Sequence, residues 1–174
     1  MARRAIIEYP DKRLRMPARP VTAFDRNLMC CIDDLLETLY ASRGIGLAAN
    51  QIGLNLCVLA INVAGNGDQA QIFINPHILV RSQVGWVEES CLSLPGIVEN
   101  VKRDTRVRVR TFDHAGIAYE RDLEGTAAVC LQHEMDHLQG KLFVDRLSFF
   151  KRRRAIKRFQ AGSRGPTPTS VRLP

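Results

Sequence analysis

Apolar positions along the chain recur with two different periods. From about Asp25 to Ser42, Leu28, Ile32, Leu35, Leu36 and Leu39 fall at three- and four-residue steps. That spacing predicts an amphipathic helix, stopped by the glycines that follow and laid over a sheet. From Thr105 to Asp113 the period is two: Val107, Val109 and Thr111 alternate with Arg106, Arg108 and Arg110. This is the pattern of a strand with one solvated face, so the arginines read as an outer surface. Leu56–Asn62 and Gln71–Asn75 are further strands, with Asn66-Gly67-Asp68 turning between them, and Ile78–Ser82 and Trp86–Glu89 are short extended pieces. Asp113-His114-Ala115-Gly116 closes a hairpin onto Ile117–Asp122 and leaves His114 at its exposed tip. Residues 1–20, punctuated by Pro10, Pro17 and Pro20, read as an extended arm.

The segment Cys130–Gly140, CLQHEMDHLQG, breaks both patterns. Ala127, Ala128, Val129, Leu131, Met135 and Leu138 make it apolar around most of a helix, so His133, Glu134, Asp136 and His137 are expected to be buried. A last helix, capped by Ser148, runs to about Gln160, with Phe149, Phe150, Ile156 and Phe159 as an apolar stripe beneath its cations. The resulting fold class is α+β: short antiparallel sheets surround the histidine helix, with an N-terminal and a C-terminal helix. Residues 1–148 are expected to form one domain, 149–161 a basic helix, and 162–174, rich in Gly, Pro, Ser and Thr, a disordered tail.

Composition narrows the class. A chain of 174 residues with 45% hydrophobic content suits one domain with a single core. No apolar run approaches the ~20 residues that span a bilayer, and MARRAIIEYPDKRLR carries no secretory signal, so a cytosolic protein without membrane contact is expected. Five cysteines, two of them adjacent at Cys30 and Cys31, fit reduced thiols rather than a disulfide framework. The net charge of +7 is not spread evenly. Eight bases and no acid follow Phe150, and the remaining 17 bases meet 18 acids, which leaves the first 150 residues at −1. The basicity therefore concerns what the C-terminus touches and not the site chemistry.

His133 and His137, four residues apart, project from the same helical face and direct two ring nitrogens at one point. That arrangement suits zinc or ferrous iron, and Glu134 beside the first histidine can take a proton from water. A third ligand is needed. Phe143 stands where common zinc peptidases place a histidine, and no His, Cys or Glu follows His137. Cys130 lies about 10 Å from His137 along a helix axis, too far for a thiolate, and reads as a packing cysteine. The ligand must then come from upstream. Cys91, in the EESCLSLPG loop, is favoured over Cys30, Cys31, Cys57, His77 and His114, which fall in a helix, a strand interior, a Pro-adjacent turn and a hairpin tip. In Gly44–Gly53, GIGLAANQIG, the glycines allow close backbone approach to a ligand. Neither a phosphate loop nor a dinucleotide fingerprint is completed there. Gln51 has an amide able to donate to an oxyanion, although by itself it reads as a turn residue.

Three blocks in this order resemble the bacterial peptide deformylases: Gly44-Ile45-Gly46-Leu47-Ala48-Ala49-Asn50-Gln51, Glu89-Ser90-Cys91-Leu92-Ser93 and Gln132-His133-Glu134-Met135-Asp136-His137. The resemblance implies that Cys91, His133 and His137 hold one divalent metal with a water beside them, Fe2+ in the cell and Ni2+ or Zn2+ as substitutes. It implies Glu134 as proton acceptor, with the oxyanion held by the metal, the Gln51 amide and the Leu92 backbone N–H. The substrate implied is a formyl-Met nascent peptide, paired as an added strand beside Gly44, Ile45, Gly46 and Ser90, its methionine in a pocket of Val129, Cys130 and His133. A monomer is expected, touching the ribosome through the basic C-terminal helix. One departure stands out, because Ser90 occupies a position where the family has glycine. If that position requires a positive φ, serine costs about 1 kcal/mol and narrows the cleft. A metallopeptidase and an inactive peptide- or RNA-binding relative are the alternatives.

Overall fold

The structure, a computed structural model, describes residues 3–63 and 70–162. The expected turn at Asn66-Gly67-Asp68 and the tail beyond Gly162 lie outside the described residues. Helix α1 spans Arg26–Ser42. Asp25 caps it, its carboxylate accepting from the Asn27 and Leu28 N–H groups at 3.0 Å each. The helix ends in a left-handed residue, as the glycines suggested, but that residue is Arg43, at φ 56°, and not Gly44.

Five antiparallel strands follow: β1 (Gly46–Ala48), β2 (Val58–Ile61), β3 (Gln71–Cys91), β4 (Leu94–Phe112) and β5 (Ala118–Glu124). They form one sheet in chain order. The short pieces expected at Ile78–Ser82 and Trp86–Glu89 belong to the single 21-residue strand β3. Register shifts between Ile74 and His77 and between Ile78 and Val80 break its alternation, which is why the sequence shows it in fragments. Strand β4 bears out the two-residue period: Val107, Val109 and Thr111 are buried. Arg106 pairs with Glu124 and Arg108 with Asp122 at 2.9 Å on the solvated face.

Strand β2 is buried on both faces and divides two cores. Val58 and Ala60 join Leu28, Ile32, Leu35 and Leu39 of α1. Leu59 and Ile61 face the other way, with Phe73, Val107, Val109 and Leu123, onto Ala128, Leu131 and Leu138 of helix α2 (Gly125–Leu138). The sheet thus carries α1 on one face of β2 and α2 on the other, and the chain turns sharply at Gly140, φ 71°, as it leaves α2. A Cβ on Gly140 would fall 2.4 Å from the Arg15 carbonyl oxygen, so only glycine fits that turn.

Helix α3 spans Phe149–Gln160 and docks on a third core of Leu94, Ile97, Val101, Leu142, Phe143 and Val144 through Ala155 and Phe159. Two expectations for it fail. Ser148 occupies the cap position without a side-chain capping bond. Phe149 and Phe150 are 70% and 81% exposed and lie off the docked stripe, whose contacts Ala155 and Phe159 are four residues apart. Among the described residues no helix is long and apolar enough to cross a membrane.

Candidate active site

Strand β3 delivers Cys91 at its last position, and the two-residue turn Leu92-Ser93 leads directly into β4. The Ser93 N–H points at the Cys91 Sγ, 3.4 Å away, and fixes the thiol at the hairpin tip. Helix α2 presents His133 and His137 one turn apart, ring centroids 5.0 Å from each other. The His137 Nε2 lies 3.2 Å from the Cys91 Sγ. One donor atom from each of Cys91, His133 and His137 falls within 4.8 Å of the others, and all three residues are buried. Cys130 stays outside this group, its thiol donating to the Ile45 carbonyl at 3.3 Å.

The donor set fits a divalent ion. His133 Nδ1 sits 2.8 Å from Glu89 Oε2, and a carboxylate can only accept, so Nδ1 carries the proton and Nε2 is left for the cluster. Burial would push the Cys91 thiol up, but the His137 and His133 imidazoles outweigh it and hold the thiol at about 5. Burial likewise opposes a charge on His133, yet the Cys91 sulfur and Glu89 raise its pKa well above the usual imidazole value. A field that draws a proton this strongly draws a metal cation in its place. Cys91, His133 and His137 form a cluster that could hold a metal ion.

Glu134 is 4% exposed, and among the described residues its Oε2 has no hydrogen-bond partner. Burial raises its pKa to about 7, against the opposing pull of His133 and His137. Strand β1 passes so close that a Cβ on Gly46 would meet Glu134 Oε1 at 2.6 Å and Cys130 Sγ at 2.5 Å. Glycine at 46 is therefore a packing requirement of the site. The 3-10 turn Ala49–Ile52 then sets Gln51. Its Oε1 accepts from the Ala48 N–H at 2.8 Å, which turns the NH2 group toward Ser93 Oγ at 3.1 Å and Cys91 Sγ at 3.8 Å. By local pattern alone Gln51 reads as a turn residue, whereas the resemblance implied an oxyanion donor; the fold aims its NH2 group at Ser93 and Cys91.

The remaining expected residues lie at β1, at the tip of the β3–β4 hairpin and on α2. Ile45 packs on Val87 and Val129, and a Cβ on Gly44 would touch Leu92 Cδ1 at 2.9 Å. Val129 and Cys130 are fully buried behind β1. Ser90 pairs with Val98 in the β3–β4 hairpin. It is absent from the non-glycine residues at positive φ, which are Arg43, Asn75 and Gln83, so the feared backbone cost does not arise.

Five further residues take supporting roles that the sequence reading did not assign. Arg103 of β4, its side chain wholly buried, donates to Glu89 through Nε at 2.5 Å and Nη2 at 2.9 Å, and to Asp136 through Nη1 at 2.7 Å. Asp136 also accepts from Arg146 at 2.5 and 2.6 Å. One guanidinium thus ties the residue that orients His133 to the residue preceding His137. Asn50 donates to the His137 backbone carbonyl. A signal existed for two of them. Glu89 lies two positions before Cys91 and so shares its strand face, and the inward period of Val107, Val109 and Thr111, carried back, reaches Arg103.

Residues 3–153 match the family model described as polypeptide deformylase. The chain belongs to the polypeptide deformylase family. A peptide deformylase of Cellvibrio japonicus is 46% identical over 155 residues, covering 88% of this chain and 92% of that protein. One from Alkalilimnicola ehrlichii is 47% identical, covering 89% and 88%. Among solved structures, the Legionella pneumophila deformylase superposes with a TM-score of 0.88 at 42% identity, covering 94% of this chain and 96% of its own. The Ehrlichia chaffeensis deformylase, determined in complex with actinonin, gives 0.86 at 35% identity, covering 95% and 100%. Relatives and solved neighbours alike make this chain a peptide deformylase of α+β fold, an enzyme, as the three sequence blocks implied.

Proposed function

We propose that this deformylase hydrolyses the N-terminal formamide of formyl-methionyl nascent peptides, with Cys91, His133 and His137 holding one divalent ion. The observation that carries the reading is the buried thiol and two imidazoles within 4.8 Å, with a Glu134 carboxylate oxygen, on the helix of the two imidazoles, that has no partner among the described residues. An ion held there supplies Lewis acidity, polarising the formyl carbonyl and making water acidic enough to lose a proton near neutral pH. Glu134, buried next to the His133 ligand, accepts that proton as water adds to the formyl carbon. The Gln51 NH2 group and the Leu92 backbone N–H donate to the oxygen that becomes negative. Glu134 then returns the proton to the departing amine, giving formate and a peptide with a free methionine N-terminus.

The peptide lies extended beside Gly44, Ile45, Gly46 and Ser90, its methionine side chain against Val129, Cys130 and His133. A thiolate with two imidazoles suits a soft-leaning ion, and we assign Fe2+ in the cell, replaceable by Ni2+ or Zn2+. An iron–thiolate pair is open to oxidation, so iron-loaded activity decays in air while nickel-loaded activity persists. Equal decay of the two preparations counts against that assignment. The protein acts as a cytosolic monomer, and its basic helix α3 docks on ribosomal RNA beside the emerging chain.

Formate release from formyl-Met-Ala-Ser, assayed without oxygen, tests the reaction. Release of formate with the peptide bonds intact supports it. Cleavage of unformylated peptides would establish a metallopeptidase instead, and neither activity would leave a binding relative.

A further inference from the structure

Ten large hydrophobic side chains are exposed among the described residues, and four of them, Leu79, Val80, Val84 and Trp86, lie within eight positions of strand β3. Val84 is 68% and Trp86 55% exposed. Scattered single apolar residues are ordinary on a surface, but a run of them on one strand marks a contact face. The backbone beneath them is available as well. Strand β3 pairs with β2 only from Gln71 to Ile74 and with β4 from Ile74 to Cys91. From His77 to Glu89 its other edge has no strand partner among the described residues. An edge with apolar side chains and unpaired peptide groups is a template for an added strand.

The strand's course indicates which strand is added. Alternation places Val84, Trp86, Glu88 and Ser90 on one face of β3, opposite buried Val87, Glu89 and Cys91. Lys102, directly across from Trp86, holds its ammonium 5.2 Å from the indole centroid and anchors the ring on that face. Strand β3 runs toward the site and ends in Cys91, and β1 also runs inward, from Gly46 to the Gln51 turn. A peptide whose formyl group is at the cluster therefore leaves antiparallel to β3, along the open edge. At about 3.4 Å per residue for both strands, Trp86, five positions before Cys91, and Val84, seven before it, face roughly the fifth to seventh residues of the substrate.

We propose that Trp86 and Val84 form an outlying subsite that binds apolar side chains at the fifth to seventh positions of the formylated chain, so that the enzyme favours longer substrates of that kind. This rests on the deformylase reading above, and the test separates the two. Formate release is measured for formyl-Met-Ala-Ser, for formyl-Met-Ala-Ser-Gly-Ser-Gly-Ser and for formyl-Met-Ala-Ser-Gly-Leu-Gly-Leu. The expected result is a KM about tenfold lower for the leucine heptapeptide than for the serine one, the scale of burying part of two apolar side chains, with kcat unchanged. In Trp86→Ser and in Val84→Ser that KM ratio falls toward one, the tripeptide serving as the reference within each variant. No hydrolysis of the tripeptide by the native enzyme defeats the deformylase reading itself. Hydrolysis of all three peptides with equal KM overturns the subsite alone. So does a native dimer in sedimentation that Trp86→Glu dissociates, because the face is then occupied by a second copy of the chain.

Discussion

Helices α2 and α3 are of similar length and are built on opposite terms. Ten of the fourteen residues of α2 are buried, among them Gln132, His133, Glu134, Asp136 and His137. Of the twelve residues of α3 only Ala155 is buried. Three of the polar side chains of α2 are kept in the interior by specific partners, Glu89 for His133, Arg103 and Arg146 for Asp136 and the Asp104 carbonyl for Gln132, while Glu134 Oε2 has none among the described residues. The cations of α3 lean on the body through exposed pairs, Arg152 with Asp145 at 3.0 Å and Arg154 and Arg158 with Glu99 at 3.9 and 3.7 Å. Exposed pairs of this kind each contribute roughly 0–1 kcal/mol, whereas a buried charge stripped of its partner costs several. Change in α2 should therefore be felt by fold and chemistry together, and change in the outer face of α3 by neither.

The sharpest contrast is expected at Glu134. Glu134→Gln keeps the shape of the side chain and removes the proton acceptor, so kcat for formyl-Met-Ala-Ser should fall by about 10²–10⁴. Metal content, measured on the same preparation, should stay near one ion per chain. Loss of the ion together with activity would instead make Glu134 part of the ion's own support.

Arg103 comes next. Arg103→Met leaves Glu89 buried without its guanidinium and Asp136 with Arg146 alone, and the loss should be about 3–5 kcal/mol in urea unfolding. Glu89→Gln made in the same chain should recover part of it, since the orphaned charge is then gone. No recovery would mean that the guanidinium matters chiefly for its hydrogen bonds and volume.

The same network predicts a pH effect in metal-free protein. Burial works against the Glu89 carboxylate, but Arg103 and His133 lower its pKa from 4.5 to about 2. Its folded value is below its unfolded value, so its contribution is complete above about 4.5 and is lost as pH falls through 4.5 toward 2. Acid unfolding followed by fluorescence of the single tryptophan should be steeper in this window for the native chain than for Glu89→Gln. Identical slopes would remove Glu89 from the acid response.

Much of this arrangement was legible in the sequence, and the exceptions have physical causes. The histidine helix could be read because His133, Glu134 and His137 sit in an apolar frame at one-turn spacing. The second half of strand β4 could be read because its outer arginines keep a strict alternation, while the first half, from Leu94 to Asp104, was not read as strand. Strand β3 could not, because Pro76, the positive φ of Asn75 and Gln83 and two register shifts interrupt a strand that is nonetheless continuous. The support behind the site was hidden for another reason. Arginine and glutamate are charged types that sequence reasoning sends to water, and only the pairing of Glu89, Arg103 and Asp136 makes their burial tolerable. Gln51 was seen, but its aim depends on a backbone bond to Ala48 that no local pattern announces.

The smallest expected effect lies at the start of α3. Phe149 and Phe150 face water, their rings edge to face with centroids 5.6 Å apart. Replacing both by serine removes no contact with the third core, which α3 meets through Ala155 and Phe159. Stability in urea should change by no more than about 0.5 kcal/mol, as for most surface substitutions. Ala155→Glu is the counterpart on the docked face of the same helix, and burying a carboxylate there should cost several kcal/mol or detach the helix. If the serine pair proved as damaging as Ala155→Glu, α3 would be packed through its aromatic face, and its comparison with α2 would have to be redrawn as one between two buried helices.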